Sequence, residues 1–194
     1  MKHTIRVLPL CRLLPAVLAV VMLAGTAAAQ IRGTIKTTDG KTVSGQIRWL
    51  NSQKKYIVMS TRPGTQATIE VQLTADQVAD IQVPQPRELG PAIQAVRSGS
   101  NIAGAIPVLE KIIIDYTMMQ WDEPAARVLA EAQLAVGKPD AAIKACERVI
   151  AIRPEAAYKG DMAVVYWQAL LKANRSAKLE ALLKDAIAKG GREA

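Results

Sequence analysis

Histidine and cysteine are nearly absent from this chain of 194 residues, which holds one histidine, His3, and two cysteines, Cys11 and Cys146. His3 and Cys11 both fall within the first 29 residues, a segment expected to be removed on export. The remainder then has no histidine, no disulfide partner for Cys146 and no Cys/His set that could bind zinc. Acid-base chemistry would need paired carboxylates or a lysine of shifted pKa. Asp115 and Asp122-Glu123 sit instead at predicted helix ends, where a negative charge at an N-terminus has an ordinary stabilising role. Lys54-Lys55 falls in a predicted loop. A glycine-rich phosphate loop, a G-x-S-x-G elbow and metal-ligand spacing are all missing. The expectation is a protein that is not an enzyme and uses no cofactor and no metal.

Concentrated charge is lacking too. The formal net charge of +8 includes Lys2, Arg6 and Arg12; from Gln30 onward there are 22 basic and 17 acidic residues, spread evenly over the chain. A dedicated nucleic-acid surface needs a basic patch, so none is expected. Trp49 and Tyr56 have no interleaved basic residues that would make a base-stacking platform.

The first 29 residues read as a signal peptide: Lys2, His3, Arg6 and Arg12 at the start, an apolar run from Leu13 to Ala24, then Ala27-Ala28-Ala29 before Gln30. The run is shorter than the roughly 20 residues a transmembrane helix needs. Leu10 precedes Cys11 where a lipoprotein has a small residue, and the apolar core follows the cysteine, which argues against a lipid anchor. The mature protein is expected to be periplasmic or secreted, with no transmembrane segment after cleavage.

Residues 30–84 change to a period of two. Ile31, Gly33 and Ile35 alternate with polar residues, Asp39-Gly40 turns, and Val43, Gly45, Ile47 and Trp49 alternate again. Tyr56–Ser60 predicts a third strand, Arg62-Pro63-Gly64 a turn, and Ile69, Val71 and Leu73 a fourth strand. Thr74–Val78 predicts a single helical turn and Ala79–Val83 a fifth strand. GTIKTTDGKTVSGQIRW, KKYIVM, ATIEVQL and VADIQV together resemble a small SH3-like or Sm-like β-barrel. That resemblance implies five strands closed on themselves, with Gly45 in a sharply bent strand. The RNA binding common among Sm-like barrels is not carried over, given the export segment; cell-wall peptide binding by envelope SH3-like domains is. Trp49 shares a face with Val43 and Ile47, which makes it a core or interface residue.

PQPRELGP (Pro84–Pro91) is a short linker, after which residues 85–194 take a helical period. Leu129, Ala130, Ala132 and Leu134 form an apolar stripe, Gly137 and Pro139 break it, and Ala142, Ile143, Cys146, Val149 and Ile150 resume it until Pro154. This hairpin resembles a tetratricopeptide repeat (TPR): Leu129-Ala130 stands at the Leu-Gly pair, Gly137 at the interhelix turn, Ala142 at the small crossing position and Pro154 at the terminal proline. Ala105–Ile113, Ala142–Ile150 and Leu179–Ile187 recur at a spacing of 37 residues. Three hairpins follow, at 86–116, 121–154 and 159–189, with Leu179 in place of the small crossing residue in the last. The fold class expected is α+β, a small five-stranded barrel followed by a TPR-like superhelical array of about three hairpins. Trp121 and Trp167 are expected to pack between hairpins, and Cys146 to be a buried structural residue.

The family resemblance implies a protein-binding groove lined by the first helix of each hairpin. Carried over residue by residue, the groove positions are Gln94 and Arg97 in the first hairpin, Arg127 and Glu131 with Ala135 in the second, and Gln168 and Lys172 with Val164 in the third. The function expected is an exported scaffold that binds a protein or peptide partner in the bacterial cell envelope. Two alternatives stand beside it: a cell-wall-associated module whose barrel makes the contact, and a structural oligomer whose hairpins stack end to end.

Overall fold

The computed structural model describes residues 31–61 and 67–190. The predicted export segment, the Arg62-Pro63-Gly64 turn and Gly191 lie outside the described residues.

Alternating side chains build the first half: β1 (Ile31–Thr37), β2 (Thr42–Leu50), β3 (Lys55–Thr61), β4 (Thr68–Thr74) and β5 (Val78–Gln82), with a single 3-10 turn at Ala75–Gln77. All pairings are antiparallel, in the order β4-β3-β2-β1-β5. Gly40, at φ +84°, closes the β1–β2 turn, where the Asp39 carboxylate accepts from the Thr37 hydroxyl and pairs with Lys41 at 2.7 Å. These bonds hold the Asp39 carboxyl down at about 2. One face of the sheet carries Ile31, Ile35, Ile47, Tyr56, Val58 and Leu73, all buried.

The sheet is open, which corrects the expected barrel. β5 pairs with β1 through Val78–Gln82, and no pairing among the described residues joins β5 to β4, the other edge. A sheet closes when closure is what buries its apolar face; here that face is buried by another part of the chain. Met119, between the second and third helices, is 2% exposed in the sheet core, with Tyr116, Met118 and Trp121 packed around it.

Among the described residues six helices follow: α1 (Leu89–Ser98), α2 (Ile102–Asp115), α3 (Asp122–Ala135), α4 (Pro139–Ile150), α5 (Gly160–Lys172) and α6 (Ser176–Gly190), with a 3-10 turn at Pro154–Ala157. Asn101 caps α2 by accepting from the Gly104 amide at 3.1 Å, and Pro139 opens α4, where a missing N–H costs nothing. Between the two helices of each hairpin stands one left-handed residue: Gly99, Gly137 and Asn174. Behind the second and third of these, Lys138 N–H donates to the Gln133 carbonyl and Arg175 N–H to the Leu170 carbonyl, both at 2.8 Å. Equivalent bonds 37 residues apart are what the sequence period looks like in hydrogen bonding.

Successive helices pack on one another, and α3 also touches α1 and α5, so the first helices of the hairpins form a layer. Only two such steps occur, and α6 meets α5 over a thinner contact than α4 makes with α3. The result is a short stack and not the expected superhelix. Ala105 and Ala142 are buried at the crossings, Cys146 is buried and unpaired, and burial pushes its thiol up to about 12. Trp167 is half-buried, donating to the Ala157 carbonyl at 2.9 Å.

The two halves join at the α2–α3 connection. Tyr56 donates its hydroxyl to the Met118 carbonyl at 2.7 Å, and Trp121 donates its indole N–H to the Val83 carbonyl at 3.0 Å. Trp49 stacks at a tilt on Tyr56, ring centres 4.7 Å apart.

Two substitutions test this packing. A Cβ at Gly45 would fall into the Met59 carbonyl, and a larger side chain at Ala142 would wedge a fully buried helix crossing. Gly45→Ala and Ala142→Leu should each lower stability by about 1 to 3 kcal/mol, read from urea denaturation midpoints. A wild-type midpoint in either variant would mean that the bend or the crossing is misplaced.

Candidate protein-binding cleft

The first turn of α3 and the first turn of α5 face each other across a cleft of about 330 Å³, floored by Met119 and Met162. Glu123, Arg127 and Glu131 recur every four residues on α3 and so share one stripe. From α5 comes Asp161, and from the chain before the 3-10 turn comes Arg153.

Charge within the cleft is mostly neutralised internally. Arg127 is paired with Glu131 at 2.8 Å. Arg153 is paired with Asp122 at 2.7 Å and reaches Glu123 at 3.6 Å. Asp122 is 2% exposed, and it also accepts from the Met118 amide at 2.8 Å and the Glu123 amide at 2.9 Å. Burial raises its carboxyl pKa in spite of Arg153. Of the charged groups lining the cleft, Asp161 is the one with neither a hydrogen bond nor an ion pair among the described residues.

Arg127 and Glu131, two of the expected groove positions, are bound to each other on the α3 stripe, and Arg127 lines the cleft. Gln168 and Lys172 continue the stripe of Asp161 along α5, both exposed, with Val164 and Leu171 beside them, 50% and 56% exposed. Gln94 and Arg97 are exposed on α1, away from the residues that line the cleft, and Ala135 is exposed at the far end of α3. The sequence reading missed Asp161 and the Asp122–Arg153 pair. Asp161 had no signal beyond its place after Gly160. The pair spans 31 residues, a separation that no local pattern reports.

Among the described residues no cluster of three or more His, Cys, Asp or Glu could hold a metal ion, and no helix is long and apolar enough to cross a membrane. What the cleft and the α5 face offer is a shaped surface with apolar, amide and charged groups in a row.

Asp122→Ala should cost about 3 kcal/mol, near the lower end for breaking a buried pair, since Arg153 keeps 24% of its side-chain surface in water. Asp122→Asn, which keeps one acceptor oxygen and so can still serve one of the two amides, should lose less. Equal urea midpoints for Asp122→Ala and the wild type would remove Asp122 as the organiser of the cleft.

The chain matches no protein-family model, and searches of curated proteins and of solved structures find no match.

Proposed function

We infer that the protein is an exported, non-enzymatic scaffold that binds a protein or peptide in the cell envelope along the exposed face of α5. Export is supported by the sequence of residues 1–29. The six helices are read as three TPR-like hairpins, on the strength of the 37-residue period and the left-handed residue in each turn. The observation that carries the reading is the α5 stripe: Asp161, Val164, Gln168, Leu171 and Lys172 lie within one face of the helix, all exposed, and lead into the cleft beside α3. Two large apolar side chains in water on a helix flanked by a cleft are what a partner covers. Because Asp161 is the free charge there, the partner segment carries a cation near that end.

In-cell crosslinking of a tagged chain tests this. Links through Lys159 and Lys172 to an envelope protein are expected, and Val164→Asp with Leu171→Asp should remove most of them while leaving the far-UV spectrum unchanged. Equal recovery from that double variant would overturn the α5 reading. These positions are cleaner than Arg127, whose reversal would also break its pair with Glu131.

A second reading, end-to-end oligomerisation, is favoured by α6. Leu183 and Ile187 stand 37 residues after Cys146 and Ile150, yet Ile187 is 75% exposed where the following helix would cover it in an inner hairpin. Sedimentation velocity should then show mass rising with concentration, and Leu183→Asp should abolish the rise. A constant monomer mass rules this reading out.

A further inference from the structure

A second and larger cleft, about 630 Å³, lies between the β2–β3 turn and the C-terminal ends of α2 and α4. It shares no lining residue with the α5 stripe. Its floor is apolar, built from Ile113, Val149 and Ile152. At its edge Ile114 is 67% exposed, an apolar side chain that the described residues leave largely in water.

Two cations converge on this apolar floor from opposite sides. Lys54 comes from the sheet and Arg148 from α4, and neither has a hydrogen bond or an ion pair among the described residues. The carboxylate that also lines the cleft, Asp122, is already engaged by Arg153 and two backbone amides. Arg148 alone would be explained by the negative end of the α4 dipole. That account does not reach Lys54, which belongs to a different element, nor Ile114.

The wall bearing Lys54 is held in place. Lys54 takes a left-handed conformation, φ +53°, in a turn closed by Gln53 N–H to the Leu50 carbonyl at 3.2 Å. Trp49 donates to the Asn51 side-chain oxygen at 3.0 Å and stacks on Tyr56, which is itself bonded to Met118. A turn fixed to the helical half through this chain of contacts presents Lys54 at a set distance from Arg148. Ser52, on the same wall, has a hydroxyl without a partner among the described residues.

We propose that this cleft is a distinct binding site for a short extended peptide segment that combines branched apolar side chains with carboxylates. The isoleucines and Val149 take the apolar side chains, Lys54 and Arg148 take the carboxylates, and Ser52 with the Asn51 amide meets the peptide backbone. An alkyl carboxylate would leave those last groups without partners, which favours a peptide. The volume lies within the range of ordinary ligand sites.

The test uses the full chain and a fluorescein-labelled peptide of alternating leucine, valine and aspartate, compared with a counterpart carrying lysine for aspartate, by fluorescence anisotropy. The acidic peptide should bind and the basic one should not. Lys54→Glu and Arg148→Glu should each weaken binding about threefold to fivefold, the size of an exposed ion pair, and together about tenfold or more, with the affinity falling as salt is raised. Ile114→Asp should weaken it as well. All three side chains are at least partly in water, so circular dichroism should report an unchanged fold. Val164→Asp with Leu171→Asp should leave this binding intact, which separates the site from the α5 face. No binding of the acidic peptide, equal binding of both peptides, or an unchanged affinity in the double charge reversal would each overturn the proposal. Binding of decanoate but not of the peptide would overturn the peptide assignment.

Discussion

One buried carboxylate decides how the two halves of this protein meet. Asp122 is at the first position of α3, and its two oxygens accept from three donors at once, the Glu123 amide, the Met118 amide and the Arg153 guanidinium, with Arg153 bridging on to Glu123. Met118 is left-handed, at φ +62°, a conformation that costs a side-chain-bearing residue roughly 1 to 2 kcal/mol. Its amide is held by Asp122 and its carbonyl by Tyr56, so the strained residue is tied on both sides. Once the connection is fixed in that shape, Met119 is delivered into the open face of the sheet. Burial works against the charge on Asp122, and the bonds it makes offset that cost.

The same carboxylate borders both clefts. On one side, tying up Arg153 leaves Asp161 as the free charge beside α5. On the other, the absence of a free acid leaves Lys54 and Arg148 facing an apolar floor without a counter-charge. The two clefts therefore differ in the sign of the charge left without a partner among the described residues, acidic in one and basic in the other, because the remaining charges that line them are paired within the fold. The sheet contributes through its rigidity: the Trp49–Tyr56 contact and the Tyr56 hydrogen bond register the β2–β3 turn against the helices.

The sequence was most legible where local physics is decisive. Period-two alternation marked the strands within a residue or so, and Gly137 and Pro139 marked a helix boundary, since φ above zero and a missing N–H act over one or two residues. The 37-residue recurrence of Ala105, Ala142 and Leu179 made three hairpins visible. Of the six positions expected to line a groove, Gln94, Arg97, Gln168 and Lys172 are exposed, while Arg127 and Glu131 pair with each other, an outcome that depends on rotamers that spacing does not fix. Trp49 packs on Tyr56 within the sheet, whereas Trp121, expected between hairpins, also packs on the sheet core and bonds to Val83, a contact no local pattern reports.

Composition, alternation and the glycine and proline positions by themselves determined an α+β chain, with strands first and paired helices after, because each of those signals is set by backbone sterics and by the burial of one face. Tertiary structure alone decided that the sheet stays open, that Met119 seals it, and which charges remain free. Those outcomes rest on contacts between residues tens of positions apart, such as Tyr56 with Met118 and Asp122 with Arg153, and their energies arise only when burial removes the competing water.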